Sequence, residues 1–129
     1  MVVGSNFDEA AAAAHADAAE RDAAFIEPFD ARDTITGQGT VAAEVLAQLS
    51  AKGKLLDTIV VPVGGGGLIS GITSYVADMA LQTRVVGMEP EGAASLRAAF
   101  DHGGPVTLEE VDPFVDLSLI HISEPTRPY

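Results

Sequence analysis

Four glycines in a row, Gly64 to Gly67, separate the β-branched run Ile59-Val60-Val61-Pro62-Val63 from a helical apolar repeat that starts at Leu68. Glycine reaches positive φ and has no Cβ, so successive backbone N–H groups in such a segment can converge on one anion. The helix that follows aims its dipole and its unpaired first N–H groups at the same point. A tight turn alone uses one or two glycines, and each further one adds chain entropy that folding must remove, about 0.5–1 kcal/mol relative to alanine. The tetraglycine therefore predicts a phosphate site at the amides around Gly64 to Gly67, aided by the start of the following helix, rather than a bare turn. Each such contact contributes about 0.3–1 kcal/mol, so several together hold a dianion although the loop contains no lysine or arginine.

The rest of the chain alternates helix and strand around this loop. Asn6 and Glu9 form an N-capping pattern for an alanine-rich helix to about Ala23, after Val2 and Val3 at a strand end. Ala24 to Ile26 reads as a brief strand closed by Pro28, with a loop through Asp33. Gly37-Gln38-Gly39-Thr40 opens a second helix whose Val41, Val45 and Leu49, with Leu46 alongside, share one face and which ends at Gly53. The run Ile59–Val63 lacks polar alternation, as expected of a parallel strand buried on both faces. Leu68, Ile72, Val76 and Met79 mark a helix to about Ala80, Arg84 to Met88 a second buried strand, and Ala93 to Asp101 a helix stopped by Gly103-Gly104. The expected fold class is α/β, a parallel sheet with flanking helices.

Composition narrows the function classes. A chain of 129 residues that is 47% hydrophobic has enough apolar material for one packed domain. Its 19 acidic against 7 basic residues give a net charge of −12, which repels nucleic-acid phosphates and anionic membranes. There is no cysteine, hence neither a disulfide framework nor a thiolate metal site. No export signal and no apolar run of membrane-spanning length is present. His15, His102 and His121 are too dispersed for a metal cluster, and no serine lies in a Gly-x-Ser-x-Gly elbow.

The physics of the loop leaves the phosphate's owner open. A dinucleotide fingerprint needs G-x-G-x-x-G, and the register here is Gly65, Gly67, Ser70, with Glu89 near the position of the usual ribose-binding acid. A P-loop fits less well, since no Gly-Lys-Ser or Gly-Lys-Thr follows.

Four blocks go further. Pro28-Phe29-Asp30, Gly37-Gln38-Gly39-Thr40, Pro62-Val63-Gly64-Gly65-Gly66-Gly67-Leu68 and Gly87-Met88-Glu89-Pro90, with Asn6-Phe7-Asp8-Glu9-Ala10 upstream, resemble the serine/threonine dehydratase branch of the fold-type II pyridoxal-phosphate enzymes. The resemblance implies a partial tryptophan synthase beta-like fold, with residues 1–30 ending the small domain and residues 31–116 forming part of the large cofactor domain. It also implies that Gly64 to Gly67 and the Leu68 amide bind the phosphate of pyridoxal 5'-phosphate. Glu89 would be a metal ligand with the Ala93 carbonyl and Ser95, although Ser95 departs from the acid expected there. Residues 117–129 resemble translated sequencing-adapter read-through and are expected to be a non-native tail beyond Asp116.

The implied chemistry is loss of water from L-threonine, then of ammonia, giving 2-oxobutanoate for isoleucine biosynthesis. Serine dehydratase and serine racemase activities remain alternatives. The resemblance implies a homo-oligomeric parent acting on a small amino acid; the lack of cysteine and of an export signal is compatible with a cytoplasmic location, and the charge argues against nucleic acid or membrane as partner. Covalent attachment of the cofactor needs a desolvated lysine. The only lysines, Lys52 and Lys54, flank Gly53 at the far end of a strand of about five residues, roughly 17 Å from the loop. No catalytic residue is therefore expected in the chain, which is read as a fragment of a lyase without activity of its own. A non-catalytic nucleotide- or phosphate-binding α/β module is the competing reading, and a truncated product that aggregates through exposed apolar surface is a third.

Overall fold

The computed structural model describes residues 3–4, 7–79 and 82–108. The expectations for Val2, Asn6, Ala80 and the tail 117–129 fall outside the described residues. Helix α1 spans Phe7–Glu20, α2 Arg32–Ser50, strand β1 Thr58–Pro62, helix α3 Gly67–Met79, strand β2 Arg84–Met88 and helix α4 Ser95–His102. A single 3-10 turn, Glu91–Ala93, joins β2 to α4. β1 and β2 pair in parallel from Thr58 opposite Arg84 to Pro62 opposite Met88, and the Val63 N–H extends the ladder to the Met88 carbonyl at 2.8 Å. The strand-helix-strand alternation read from the sequence is thus the observed fold.

Three helices stop the same way. In each, the residue after the last turn is left-handed: Asp22 at φ 52° after α1, Gly53 at 65° after α2 and Gly103 at 73° after α4. The next amide then reaches back to a carbonyl of the last turn, Ala23 to Ala18 at 2.9 Å, Lys54 to Leu49 at 2.9 Å and Gly104 to Ala99 at 3.0 Å. This closure satisfies carbonyls that a helix end leaves unpaired. Gly53 and Gly103 end their helices where the sequence placed the stops, whereas α1 closes at Glu20, short of Ala23.

α3 is the centre of the packing. One side of it covers the sheet and another meets α2, and the core joins Ala42 of α2, Val61 of β1, and Ile72 and Val76 of α3. Gly39 and Gly71 lie at the α2–α3 crossing, where a Cβ on Gly71 would come within 2.6 Å of the Gly39 nitrogen and 2.8 Å of the Gln38 carbonyl carbon. Only two side-chain-free positions let the backbones approach so closely.

That crossing explains the main differences from the sequence reading. α2 begins at Arg32, not at Gly37, so both Gly37 and Gly39 lie inside it. Its buried stripe runs through Gly39 and Ala42 rather than Val41, which is 41% exposed. On α3 the stripe includes Gly67 and Gly71, and Met79 is left exposed. Ala24 to Ile26 forms no strand, since among the described residues β1 and β2 pair only with each other and leave it no partner. Among the described residues β1 is covered on one face only: Val61 is buried, whereas Val60 is 55% exposed and Met88, across the open face, 60%. A two-stranded sheet carries α3 on one side and, among the described residues, no layer on the other.

Candidate phosphate site at the tetraglycine loop

Parallel pairing puts the C-terminal ends of β1 and β2 on one edge, and both the tetraglycine loop and Glu89 leave the sheet there. This is the edge at which open α/β sheets bind ligands. The loop leaves β1 at Val63 and enters α3 at Gly67, with Gly66 at φ 84°. That left-handed turn costs an L-residue about 1–2 kcal/mol and glycine almost nothing.

The hydrogen bonds of the loop decide whether it fits an anion. The Ser70 N–H closes the first turn of α3 on the Gly66 carbonyl at 3.0 Å. Among the described residues, the amides from Gly64 to Ile69 donate no bond to another protein group. Unpaired backbone donors gathered at the start of a helix are what a phosphate needs. The loop thus fits the phosphate of the cofactor that the resemblance implied.

The four glycines divide into two pairs. A Cβ on Gly65 would fall 2.5 to 2.8 Å from the ring carbons Cγ, Cδ1 and Cδ2 of Phe29, and one on Gly67 would fall 2.8 Å from the Phe29 carbonyl oxygen and 2.9 Å from its Cα. Gly64 and Gly66 face open space, with no atom within 4 Å of an added Cβ. One pair is therefore glycine because Phe29 presses on it, and the other leaves room outside the protein. In the sequence the four glycines look alike, and Phe29 is marked only by its place in the Pro28-Phe29-Asp30 block.

Glu89 has a definite partner. Its Oε1 accepts the Leu96 N–H at 2.8 Å and its Oε2 the Arg97 N–H at 2.9 Å. These are the second and third amides of α4, the ones an N-cap side chain normally satisfies, and the N-cap residue Ala94 makes no such bond. The carboxylate also meets the positive end of the helix dipole. Ala93 and Ser95, its expected companions around a cation, sit in the 3-10 turn and at the first position of α4. Among the described residues no group of three or more His, Asp or Glu is placed to hold a metal ion. Glu89→Ala is expected to lower stability by about 1 kcal/mol and to reduce the helical signal, which thermal unfolding followed by circular dichroism checks.

The remaining candidates stand apart from the loop. Lys52 and Lys54 are exposed in the turn after α2, at the opposite edge of the sheet. His15 stacks on Phe25 at 3.9 Å between ring centroids and approaches Glu27 at 3.4 Å, which ties α1 to the segment before α2. His102 contacts the Ala98 carbonyl. On α4, Asp101 accepts a hydrogen bond from Arg97 at 3.0 Å, and that bond together with the carboxylate's charge raises the guanidinium above its ordinary pKa. Two surface grooves of about 340 and 560 Å³ follow α2 and α3 rather than the loop. No described helix is long and apolar enough to cross a membrane.

Comparison with known proteins agrees with this architecture. Residues 1–127 match the family model described as pyridoxal-phosphate dependent enzyme. The chain is 64% identical over 116 residues to the biosynthetic L-threonine dehydratase IlvA of Corynebacterium glutamicum, covering 90% of this chain and 27% of that protein. It is 50% identical to the protein of the same name from Lactococcus lactis, over 89% of this chain and 28% of the relative. Among solved structures, the processed form of threonine deaminase isoform 2 from Solanum lycopersicum superposes with a TM-score of 0.80 at 38% identity, covering 90% of this chain and 33% of that one. Maize serine racemase follows at 0.76 and 30%, covering 87% and 34%. The chain thus spans about a quarter of the length of the curated relatives it matches. Its α/β fold, with a parallel sheet and flanking helices, is that of the fold-type II members, and the chain belongs to the family of pyridoxal-phosphate dependent enzymes.

Proposed function

We propose that the chain is the phosphate-binding segment of a threonine ammonia-lyase, and that residues 31–116 belong to its large cofactor domain and residues 1–30 to the end of its small domain. The observation that carries the reaction is the 64% identity to a biosynthetic threonine dehydratase. The unpaired amides of the loop support the mode of binding. When bound, pyridoxal 5'-phosphate would supply the electron sink for removal of water and then ammonia from L-threonine, leaving 2-oxobutanoate.

The part assigned to this chain is binding and orientation. Amides of Gly64, Gly65, Gly66, Gly67 and Leu68 hold the phosphate, and the start of α3 offsets its charge. Glu89 fixes the start of α4 beside that edge through Leu96 and Arg97. None of these groups moves a proton, and the lysine that must bond the cofactor is supplied by the rest of the enzyme. The same reading gives the complete enzyme a small amino acid as substrate, a cytoplasmic location and an oligomeric state. The net charge of −12 argues against nucleic acid or an anionic membrane as partner.

The test is turnover. With pyridoxal 5'-phosphate and L-threonine, the 129-residue chain is expected to form 2-oxobutanoate no faster than the cofactor alone, and the complete reading frame containing it to form the product readily. Turnover by the chain itself contradicts the assignment of roles; a complete protein that binds dinucleotide tightly and leaves threonine untouched contradicts the reaction.

A further inference from the structure

Phe29 is the residue that the loop is built around. Its ring lies where a Gly65 Cβ would be, with Cγ 2.5 Å from that position, and its backbone lies where a Gly67 Cβ would be. The ring of Phe7, at the start of α1, is 6.1 Å from that of Phe29 between centroids and tilted by 39°, within the range of favourable aromatic pairs. Gly64 and Gly66 have no such neighbour.

From this asymmetry we propose that Phe29 is a positioning residue for the phosphate cradle: by filling the Gly65 and Gly67 side of the loop, it leaves the Gly64 and Gly66 side as the face open to the anion. Four consecutive glycines have many accessible conformations, and converged amides need one of them. Phe29 selects that one by occupying the space the loop would otherwise collapse into. Phe7 pairs with the ring, so that α1 and the phosphate loop share one aromatic contact. The inference rests on the phosphate reading of the loop and adds the element that preorganises it.

Amide NMR of the 129-residue chain titrated with inorganic phosphate separates the two ideas. In the unsubstituted chain, the Gly64 to Leu68 amides are expected to shift together. Phe29→Ala is expected to weaken phosphate binding about tenfold while the α2–α3 amides keep their positions, and Phe29→Leu, which refills most of the space, to recover most of that loss. A substitution cycle gives the sharper result. Gly65→Ala is expected to impair binding beside Phe29 and to be less damaging in the Phe29→Ala background, because the three atoms nearest its methyl group all belong to the ring. Gly67→Ala is expected to impair binding in both, because it meets the Phe29 backbone. Should Phe29→Ala fail to fold, the same cycle is read with Phe29→Leu, where Gly65→Ala is expected to be less damaging than beside Phe29. Loop amides that ignore phosphate in the unsubstituted chain overturn the phosphate reading itself. Loop amides that respond, but equally with and without the Phe29 ring and with additive effects of Gly65→Ala, overturn only the positioning role.

Discussion

Gly71→Ala is expected to destabilise the chain by about 3 kcal/mol, toward the severe end of overpacking in a core, and Gly37→Ala to stabilise it by about 0.5–1 kcal/mol. The substitution is the same in both cases and both glycines are helical. The new Gly71 methyl group would meet the Gly39 nitrogen, the Gln38 carbonyl carbon and the Ile35 carbonyl oxygen, all main-chain atoms of α2. No rotamer change relieves such a contact, so the helices must separate and open the junction around Ala42, Ile72 and Val76. Gly37 has no atom within 4 Å of an added Cβ, so alanine there only restricts the unfolded chain and favours the helix. Against a total stability of about 5–15 kcal/mol for an ordinary domain, the first change removes a large fraction. Thermal or urea unfolding of both variants checks the pair, and equal effects of the two would contradict the close crossing.

At the loop, binding and stability are expected to come apart. Gly64→Val adds a side chain where the protein has no atom within 4 Å, so stability should stay within about 0.5 kcal/mol, as for surface substitutions generally. The same side chain would stand on the open side of the cradle and is expected to weaken phosphate binding at least about tenfold, equivalent to about 1.4 kcal/mol. Gly66→Ala behaves differently, because φ 84° strains any L-residue; it is expected to lose binding and stability together. Calorimetric titration with pyridoxal 5'-phosphate, paired with thermal unfolding, measures both quantities. Gly64→Val losing stability without losing affinity would mean that the open side faces protein and not ligand.

Much of this was legible in the residues. The unalternating run before the glycines marked β1, and Gly53 and Gly103 marked helix ends because left-handed closure selects glycine by local geometry alone. Where tertiary packing decides, local pattern misled. Gly37 and Gly39 look like a helix opening, yet α2 starts at Arg32 and uses Gly39 to admit α3. Val41 carries the spacing of a core residue and is exposed, because the crossing is built from small residues and rotates the stripe onto Ala42. Full burial of β1 was inferred from apolar content, which cannot say which faces have a covering layer. Glu89 caps a helix whose amides lie seven and eight positions on, beyond the spacing of the local capping motifs. The strand-to-helix turn at the tetraglycine was legible because four consecutive glycines between an apolar run and a helical repeat admit few other readings; the crowding of Gly65 and Gly67 by Phe29 was not, because it joins residues remote in sequence.

The most direct measurement is a pair of amide NMR titrations of the chain, one with pyridoxal 5'-phosphate and one with pyridoxal, which lacks the phosphoryl group. The phosphorylated ligand should move the amides of Gly64 to Leu68 as one group, and pyridoxal should leave them in place. Equal responses to both ligands, or shifts confined to residues away from the start of α3, would contradict the claim that these main-chain donors hold a phosphate.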